Sequence, residues 1–137
     1  MLIAPPDAGT GPFASAIVAW NGSRQSARAM VYAMPFLRAA KKVTLLVVGS
    51  TAQEVNAPYL ARHLGRHGIT TETDAIDPGA VSGRARGRAL LEYTHGKGAD
   101  LLVMGAYGRS QALSFLGLGG ATGKVISSCR VPLLMSH

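Results

Sequence analysis

Short apolar runs alternate with amphipathic stretches along this chain, and the alternation predicts its secondary structure. Four runs have the length and continuous apolar character of buried strands. A fifth segment, residues 69–76, alternates apolar and polar positions and predicts a strand at a sheet edge. The four buried runs are Ala16–Trp20, Val43–Val48, Leu101–Met104 and Val131–Met135.

Apolar residues at helical spacing separate these strands. Ser23 can cap a first helix, which Pro35 is expected to kink or shorten. Further helices are predicted from Tyr59 to Gly68, over residues 83–95 and over residues 122–129. The prolines and glycines of residues 1–15 predict a tail or linker without regular structure, followed by one domain over residues 16–137.

Strands that alternate with helices predict an α/β fold, in which helices cover both faces of a parallel sheet. The chain has 137 residues, which fits a single domain. Such sheets bind ligands beyond the carboxyl ends of their strands, at the topological switch point. Two loops are candidates for that position: Trp20–Ser23 after the first strand and Gly105–Gly120 after the fourth.

Charge and composition narrow the possible functions. The net charge is +7, but the basic residues are spread over three predicted helices and no nucleic-acid-binding motif accompanies them. We therefore predict no nucleic-acid partner. No apolar run approaches the roughly 18 residues of a membrane span, and no signal peptide is evident. The single cysteine, Cys129, cannot form an internal disulfide, so the cytoplasm is the expected compartment.

The glycine-rich loop Gly105–Gly120 carries the candidate chemistry. Glycines allow a backbone to approach a ligand closely, and the start of the following helix favours an anion such as phosphate. The alternative is that these glycines only permit tight turns. Two known phosphate motifs fail: Val125 follows Gly123-Lys124 where a Walker loop needs Ser or Thr, and Thr122 occupies the third glycine position of a dinucleotide motif.

The same loop resembles the signature of universal stress proteins, which is Gly, two residues, Gly, nine residues, Gly and then Ser or Thr. Gly105 and Gly108 match its opening. Gly119 is similar to the third glycine, although ten residues intervene and the loop is one residue longer. Gly120 replaces the usual hydroxyl residue and removes one hydrogen-bond donor.

Both ends of the predicted domain resemble this family too. Val18–Ser23 is similar to its first strand and turn, with Asn21 where many members have Asp. Lys124–Met135 is similar to its closing helix and strand. Residues 1–6 resemble the last strand of a preceding domain in tandem members, so this chain is similar to a second half; a disordered tail is the alternative.

The resemblance implies a flavodoxin-like or Rossmann-like three-layer sandwich with a five-stranded parallel sheet of order 3-2-1-4-5. It also implies a homodimer through the C-terminal strand and, in some members, bound ATP with Mg²⁺. Three groups of contacts carry over by position: phosphates at Gly105, Gly108, Gly119, Gly120 and Thr122, the nucleoside at Trp20 and Asn21, and the base at Val48 and Met104.

Three function classes follow. The first is a regulatory module of the stress response that binds ATP or a related nucleotide. The second is an interaction or dimerisation module without nucleotide, and the third, least supported, is a slow ATPase. No catalytic residue or metal site is predicted, since no general base is evident and His63 and His67, four residues apart, have no Glu nearby.

Overall fold

A computed structural model of the chain describes residues 2–4, 12–79, 82–105 and 121–136, and leaves out the side chains of residues 121 and 122. Within these residues six strands form one sheet, and four helices pack on it. The strands are β1 (Leu2–Ile3), β2 (Ser15–Ala19), β3 (Lys42–Val48), β4 (Thr71–Ile76), β5 (Leu101–Gly105) and β6 (Leu133–Ser136). The helices are α1 (Arg24–Ala39), α2 (Ala57–Arg66), α3 (Gly83–Gly96) and α4 (Ala121–Ser128).

The strand order β1-β6-β5-β2-β3-β4 confirms the predicted α/β fold, the order of the five long strands and the edge position of β4. Neighbours among β2 to β6 are parallel. The predicted count of five is wrong, because β1 adds a sixth, antiparallel strand at the edge of β6. The prediction that residues 1–15 lack regular structure is wrong for the two residues of β1, Leu2 and Ile3. A strand of two residues is too short to show any periodicity, and it forms where an open strand edge offers hydrogen-bond partners.

The two faces of the sheet carry separate cores. Side chains of successive strand residues point to opposite faces. Ala16 and Val18 therefore pack under α1 and α2, whereas Ile17 packs under α3 and α4. This division gives the predicted three layers, and it decides which residues at the strand ends can share a ligand.

Helix α1 continues to Ala39, so Pro35 does not shorten it; the kink, which was the other expected outcome, stays a prediction. Ser23 caps the helix as predicted, because its hydroxyl accepts a hydrogen bond from the Ser26 amide at 3.1 Å. Pro35 lies on the solvent face and cannot bond the carbonyl of Val31, four residues earlier. Since Val31 is 60% exposed, we infer that water can hydrate that carbonyl.

Asp100 holds β2 and β5 together at the amino end of the sheet. Its two carboxylate oxygens accept hydrogen bonds from the amides of Ala14 and Ser15, each at 2.8 Å. Its own amide donates to the Ser15 carbonyl at 2.9 Å. One residue before β5 thus sets the start of β2, and bonds to a charged acceptor are stronger than neutral ones.

Helix α3 is tied to the edge strand β4 by the Tyr93 hydroxyl, which donates to an Asp74 carboxylate oxygen at 2.8 Å. The pKa of Tyr93 is raised to about 12, chiefly by burial and then by the hydrogen bond and negative charge of Asp74. Both the apolar surroundings and the carboxylate disfavour a phenolate.

We expect Asp74→Asn to lower the pKa of Tyr93 from about 12, because the charge beside the phenol is lost while its burial remains. Titration of phenolate absorbance measures the shift. Asp77→Asn is the control, since Asp77 accepts from the Gly79 amide instead. An unchanged Tyr93 titration in the Asp74 variant would contradict the assignment.

The same shift predicts the sign of the pH dependence of stability. Because the folded pKa lies above the ordinary value of 10.0, the contribution of Tyr93 is complete below pH 10 and is lost as the pH rises toward 12. Urea unfolding at several pH values should show this loss in the wild type and a smaller one in Asp74→Asn.

Candidate functional site

Strands β2 and β5 are neighbours in the sheet although α1, β3, α2, β4 and α3 separate them in sequence. After β2 the chain enters α1 on one face, and α4, which follows β5 in the described residues, packs on the other. The carboxyl ends of β2 and β5 therefore form the switch point of the sheet, where Trp20 follows β2 and Gly105 ends β5. This is where ligands of open parallel sheets bind.

Apolar residues lie at the carboxyl ends of the strands, on the face of the sheet that packs against α3 and α4. Val48 and Met104, both predicted to contact the base, pack on this face. Ala19 and Ile76 join them from the ends of β2 and β4. Met104 is paired with Ala19 across β5 and β2, and Val48 with Ile76 across β3 and β4. We call these four residues the strand-end patch.

Ala19 and Ile76 were not predicted as site residues. Ala19 lies two positions after the buried Ile17 and therefore on the same face, whereas β4 has no buried residue that marks the face of Ile76. Counting alternation across all strands could have found Ala19. The count requires the strand register, however, which only the paired sheet supplies.

Trp20 lies on the opposite face from the strand-end patch. It packs against the core under α1 and α2, and its indole nitrogen donates to the Val55 carbonyl at 2.7 Å. Trp20 thus holds the segment after β3 against the end of β2. The structure therefore does not bring it together with Val48 and Met104, because one position of alternation separates Trp20 from Ala19.

Asn21 lies exposed at the turn between β2 and α1. Its side-chain oxygen accepts a hydrogen bond from the Ser23 amide at 3.0 Å, which shapes the turn. Within the described residues its side-chain nitrogen has no hydrogen-bond partner. An asparagine here can thus support the turn and offer a donor, whereas an ionised aspartate offers only acceptors.

Gly105 is required by packing between β5 and α1. A Cβ at this position would lie 2.5 Å from the Ser26 amide nitrogen and 2.7 Å from the Gln25 carbonyl carbon. The end of β5 therefore touches the first turn of α1, with no room for a side chain. Packing alone accounts for this first glycine of the signature.

The other predicted phosphate residues cannot be placed in the same way. Gly108, Gly119 and Gly120 lie outside the described residues. Thr122 lies in the first turn of α4, but its side chain is also outside them. Their phosphate contacts stay predictions.

One basic residue that the sequence reasoning missed lies near the strand-end patch. Arg86 is an exposed residue near the start of α3, and its Nε would lie 3.7 Å from a Cβ built on Gly49. Gly49 directly follows β3 and has a φ of +78°, which favours glycine. Nothing in the sequence sets Arg86 apart from its neighbours Arg84 and Arg88; only the tertiary structure does.

Other reactive side chains do not form a site in the part of the chain that the structure describes. No three His, Cys, Asp or Glu residues there lie close enough to hold a metal ion. His63 and His67 contact each other edge to face, with ring centroids 4.8 Å apart. Burial raises the pKa of the Cys129 thiol, which donates to the Val131 carbonyl at 3.3 Å. The uncharged thiol is therefore favoured.

Comparison with known proteins identifies the family. The family model described as the universal stress protein family matches residues 13–137. The chain belongs to this family. No curated protein matches the sequence. The predicted boundary at residue 16 and the similarity of residues 1–6 to a strand of a preceding domain stay predictions.

Three solved structures, two of them described as universal stress proteins, share the fold of this family member. One is a universal stress protein in complex with cAMP, with 23% identity and a TM-score of 0.70, covering 91% of this chain and 97% of that one. Another is protein Rv1636 from Mycobacterium tuberculosis H37Rv, with 24% identity and a TM-score of 0.60, covering 94% and 98%.

A third is a universal stress protein from Archaeoglobus fulgidus DSM 4304, with 19% identity and a TM-score of 0.67. The alignment covers 87% of this chain but only 42% of that one. The present chain thus spans less than half of the archaeal protein. None of the helices in the described ranges is both long and apolar enough to cross a membrane.

We expect Gly105→Ala to destabilise the fold by about 1–3 kcal/mol, because the new methyl group overlaps the first turn of α1. Urea unfolding measures the change. Gly65→Ala is the matched control: Gly65 is exposed in α2 with nothing within 4 Å, so alanine should stabilise by up to about 1 kcal/mol. Equal stability of the two variants would contradict the close approach of β5 and α1.

Proposed function

We propose that this universal stress protein is a regulatory module that binds ATP or a related adenine nucleotide. The observation that carries the proposal is the strand-end patch at the switch point between β2 and β5. It offers an apolar surface to a base beside a loop with phosphate-binding character. The fold-level likeness to a relative whose solved structure holds cAMP supports the same ligand class.

The base rests on Val48 and Met104 in this proposal. Met104 is 6% exposed and firmly packed, whereas Val48 and Ala19 are partly exposed where their strands end. Ala19 pairs with Met104 across β2 and β5, while Val48 lies two residues beyond Leu46, the partner of Ala19 in β3. The unpartnered amide nitrogen of Asn21 is a donor for the nucleoside at the same edge.

The phosphates lie at the loop after β5, where main-chain amides and the start of α4 favour negative charge. Gly108, Gly119, Gly120 and Thr122 are the proposed contacts. The described residues hold no metal cluster of their own, so Mg²⁺ would enter with the ATP phosphates. It would screen their charge, and the chain's own residues would hold and orient the nucleotide.

The second candidate is an interaction module without nucleotide. One observation favours it: packing against α1 explains Gly105 without any ligand. The slow ATPase is the weakest candidate, because among the described residues no side chain stands out as a general base beside the strand-end patch. The cytoplasm is the proposed compartment, in keeping with the unpaired Cys129.

Mass spectrometry of small molecules released from the purified protein separates the first two candidates. Nucleotide in the released fraction, and binding of Mg-ATP and cAMP in calorimetry, is the expected result. We expect Gly108→Val to weaken ATP binding at least tenfold, since a branched side chain obstructs approach to the main chain.

Gly65→Val is the control for that variant. Gly65 is exposed near the end of α2, which leads to the amino end of β4, whereas the proposed site lies at the carboxyl ends of the strands. Its ATP affinity should equal that of the wild type. Wild-type protein that releases no nucleotide and binds neither ATP nor cAMP would favour the interaction module. Equal affinity in both glycine variants would refute the phosphate assignment alone.

We further propose a homodimer through β6. Strand β1 already pairs with Leu133 and Leu134 on the free edge of β6, so a second copy must displace β1 to use the same edge. Leu2 is exposed and β1 has only two residues, which makes this cover weak.

Removal of residues 1–4 should raise the dimer fraction, because it frees the β6 edge for a second copy. Light scattering after size exclusion measures the mass. A double variant of the whole chain, Leu2→Gly with Ile3→Gly, should act in the same direction, since glycine weakens strands. A dimer fraction that neither change alters would remove β6 as the interface.

A further inference from the structure

We propose that Arg86 is a further ligand-binding residue, whose guanidinium stacks on the base of the bound nucleotide. The inference rests on the proposed function, and it names a contact at the base end of the same site. It follows from where α3 places Arg86, from its charge environment and from the shape of a guanidinium group.

The start of α3 is held in a defined position above the carboxyl end of β3. Ser82 caps the helix, with its hydroxyl accepting from the Ala85 amide at 3.2 Å. The Arg86 amide bonds to the Ser82 carbonyl at 3.1 Å. From this first turn the side chain reaches Gly49, with Nε 3.7 Å and Cζ 3.9 Å from a Cβ built there.

The position of Gly49 connects Arg86 to the base. Gly49 directly follows Val48, and its amide bonds to the Ile76 carbonyl at 2.9 Å, so it continues the β3 edge of the strand-end patch. Helix α3 packs on the same face of the sheet as that patch. The guanidinium therefore lies beside the surface proposed for the base, on the side away from β5 and its glycine loop.

The charge of Arg86 is uncompensated in the described part of the chain. The ion pair found there joins Lys42 to Glu72, and no carboxylate contacts Arg86. The first turn of α3 holds no acidic residue, so the positive end of the helix dipole adds to the charge. An exposed guanidinium held beside an apolar surface is suited to an electron-rich aromatic ring.

A base fits this environment better than a phosphate does. A guanidinium is planar and stacks on aromatic faces, while its edge stays free for water. The proposed phosphate loop follows β5, and β2 lies between β5 and β3 in the sheet. Contact with phosphate would draw Arg86 across β2, whereas contact with the base needs no such movement.

Calorimetry and competition against ATP test the assignment with three ligands: ATP, adenosine and tripolyphosphate. We expect Arg86→Ala to weaken ATP and adenosine by the same factor, about fivefold, which is typical of an exposed cation–π contact. Tripolyphosphate binding should be unchanged. Arg86→Lys keeps the positive charge but lacks the planar guanidinium group. It should therefore recover only part of the affinity that Arg86→Ala loses.

Arg84→Ala is the matched control, because Arg84 is exposed in the same helix turn and its replacement removes the same charge. It should leave the affinity for adenosine at the wild-type value. Equal losses for Arg84→Ala and Arg86→Ala would overturn the inference in favour of a general charge effect. Weaker tripolyphosphate with unchanged adenosine would overturn it in favour of a phosphate contact.

The outcome also distinguishes this inference from the function on which it rests. Wild-type protein that binds neither ATP nor adenosine contradicts both. Wild-type protein that binds both, with Arg86→Ala indistinguishable from it, contradicts the role of Arg86 alone.

Discussion

The side-by-side pairing of β2 and β5 is the constraint on which the rest of this structure depends. The Asp100 carboxylate sets the pairing at the amino end by accepting two main-chain hydrogen bonds from the start of β2. At the carboxyl end, the absence of a side chain on Gly105 lets β5 meet the first turn of α1. A change at either end would alter how the ends of the two strands lie side by side.

The same pairing decides which side chains lie together at the carboxyl ends of the strands. Strand alternation places Ala19 with Val48 and Met104 on one face, and Trp20 on the other with its indole bonded to the Val55 carbonyl. At the strand ends, one face of the sheet therefore carries the apolar strand-end patch, and on the other face Trp20 packs against the core. This arrangement is the basis of the proposal that the base of a nucleotide binds at the strand-end patch.

The two edges of the sheet are protected by different means. At one edge β4 carries charged side chains, among them Glu72 paired with Lys42 at 3.5 Å and Asp74 bonded to Tyr93. Charged residues at an edge discourage pairing with another chain. At the other edge β1 covers part of β6 with two residues. The N-terminal strand β1 therefore occupies the same edge of β6 that the proposed homodimer would use.

The alternation of buried strands with amphipathic helices was enough to predict the fold class, the long elements and the edge strand, because periodicity is a local property of the sequence. The glycine-rich segment and Asn21 could likewise be named as candidates from the sequence alone. The sixth strand, the face on which Trp20 lies and the approach of Arg86 to Gly49 could not. Each depends on register or distance between segments far apart in the chain, and only the folded sheet sets these.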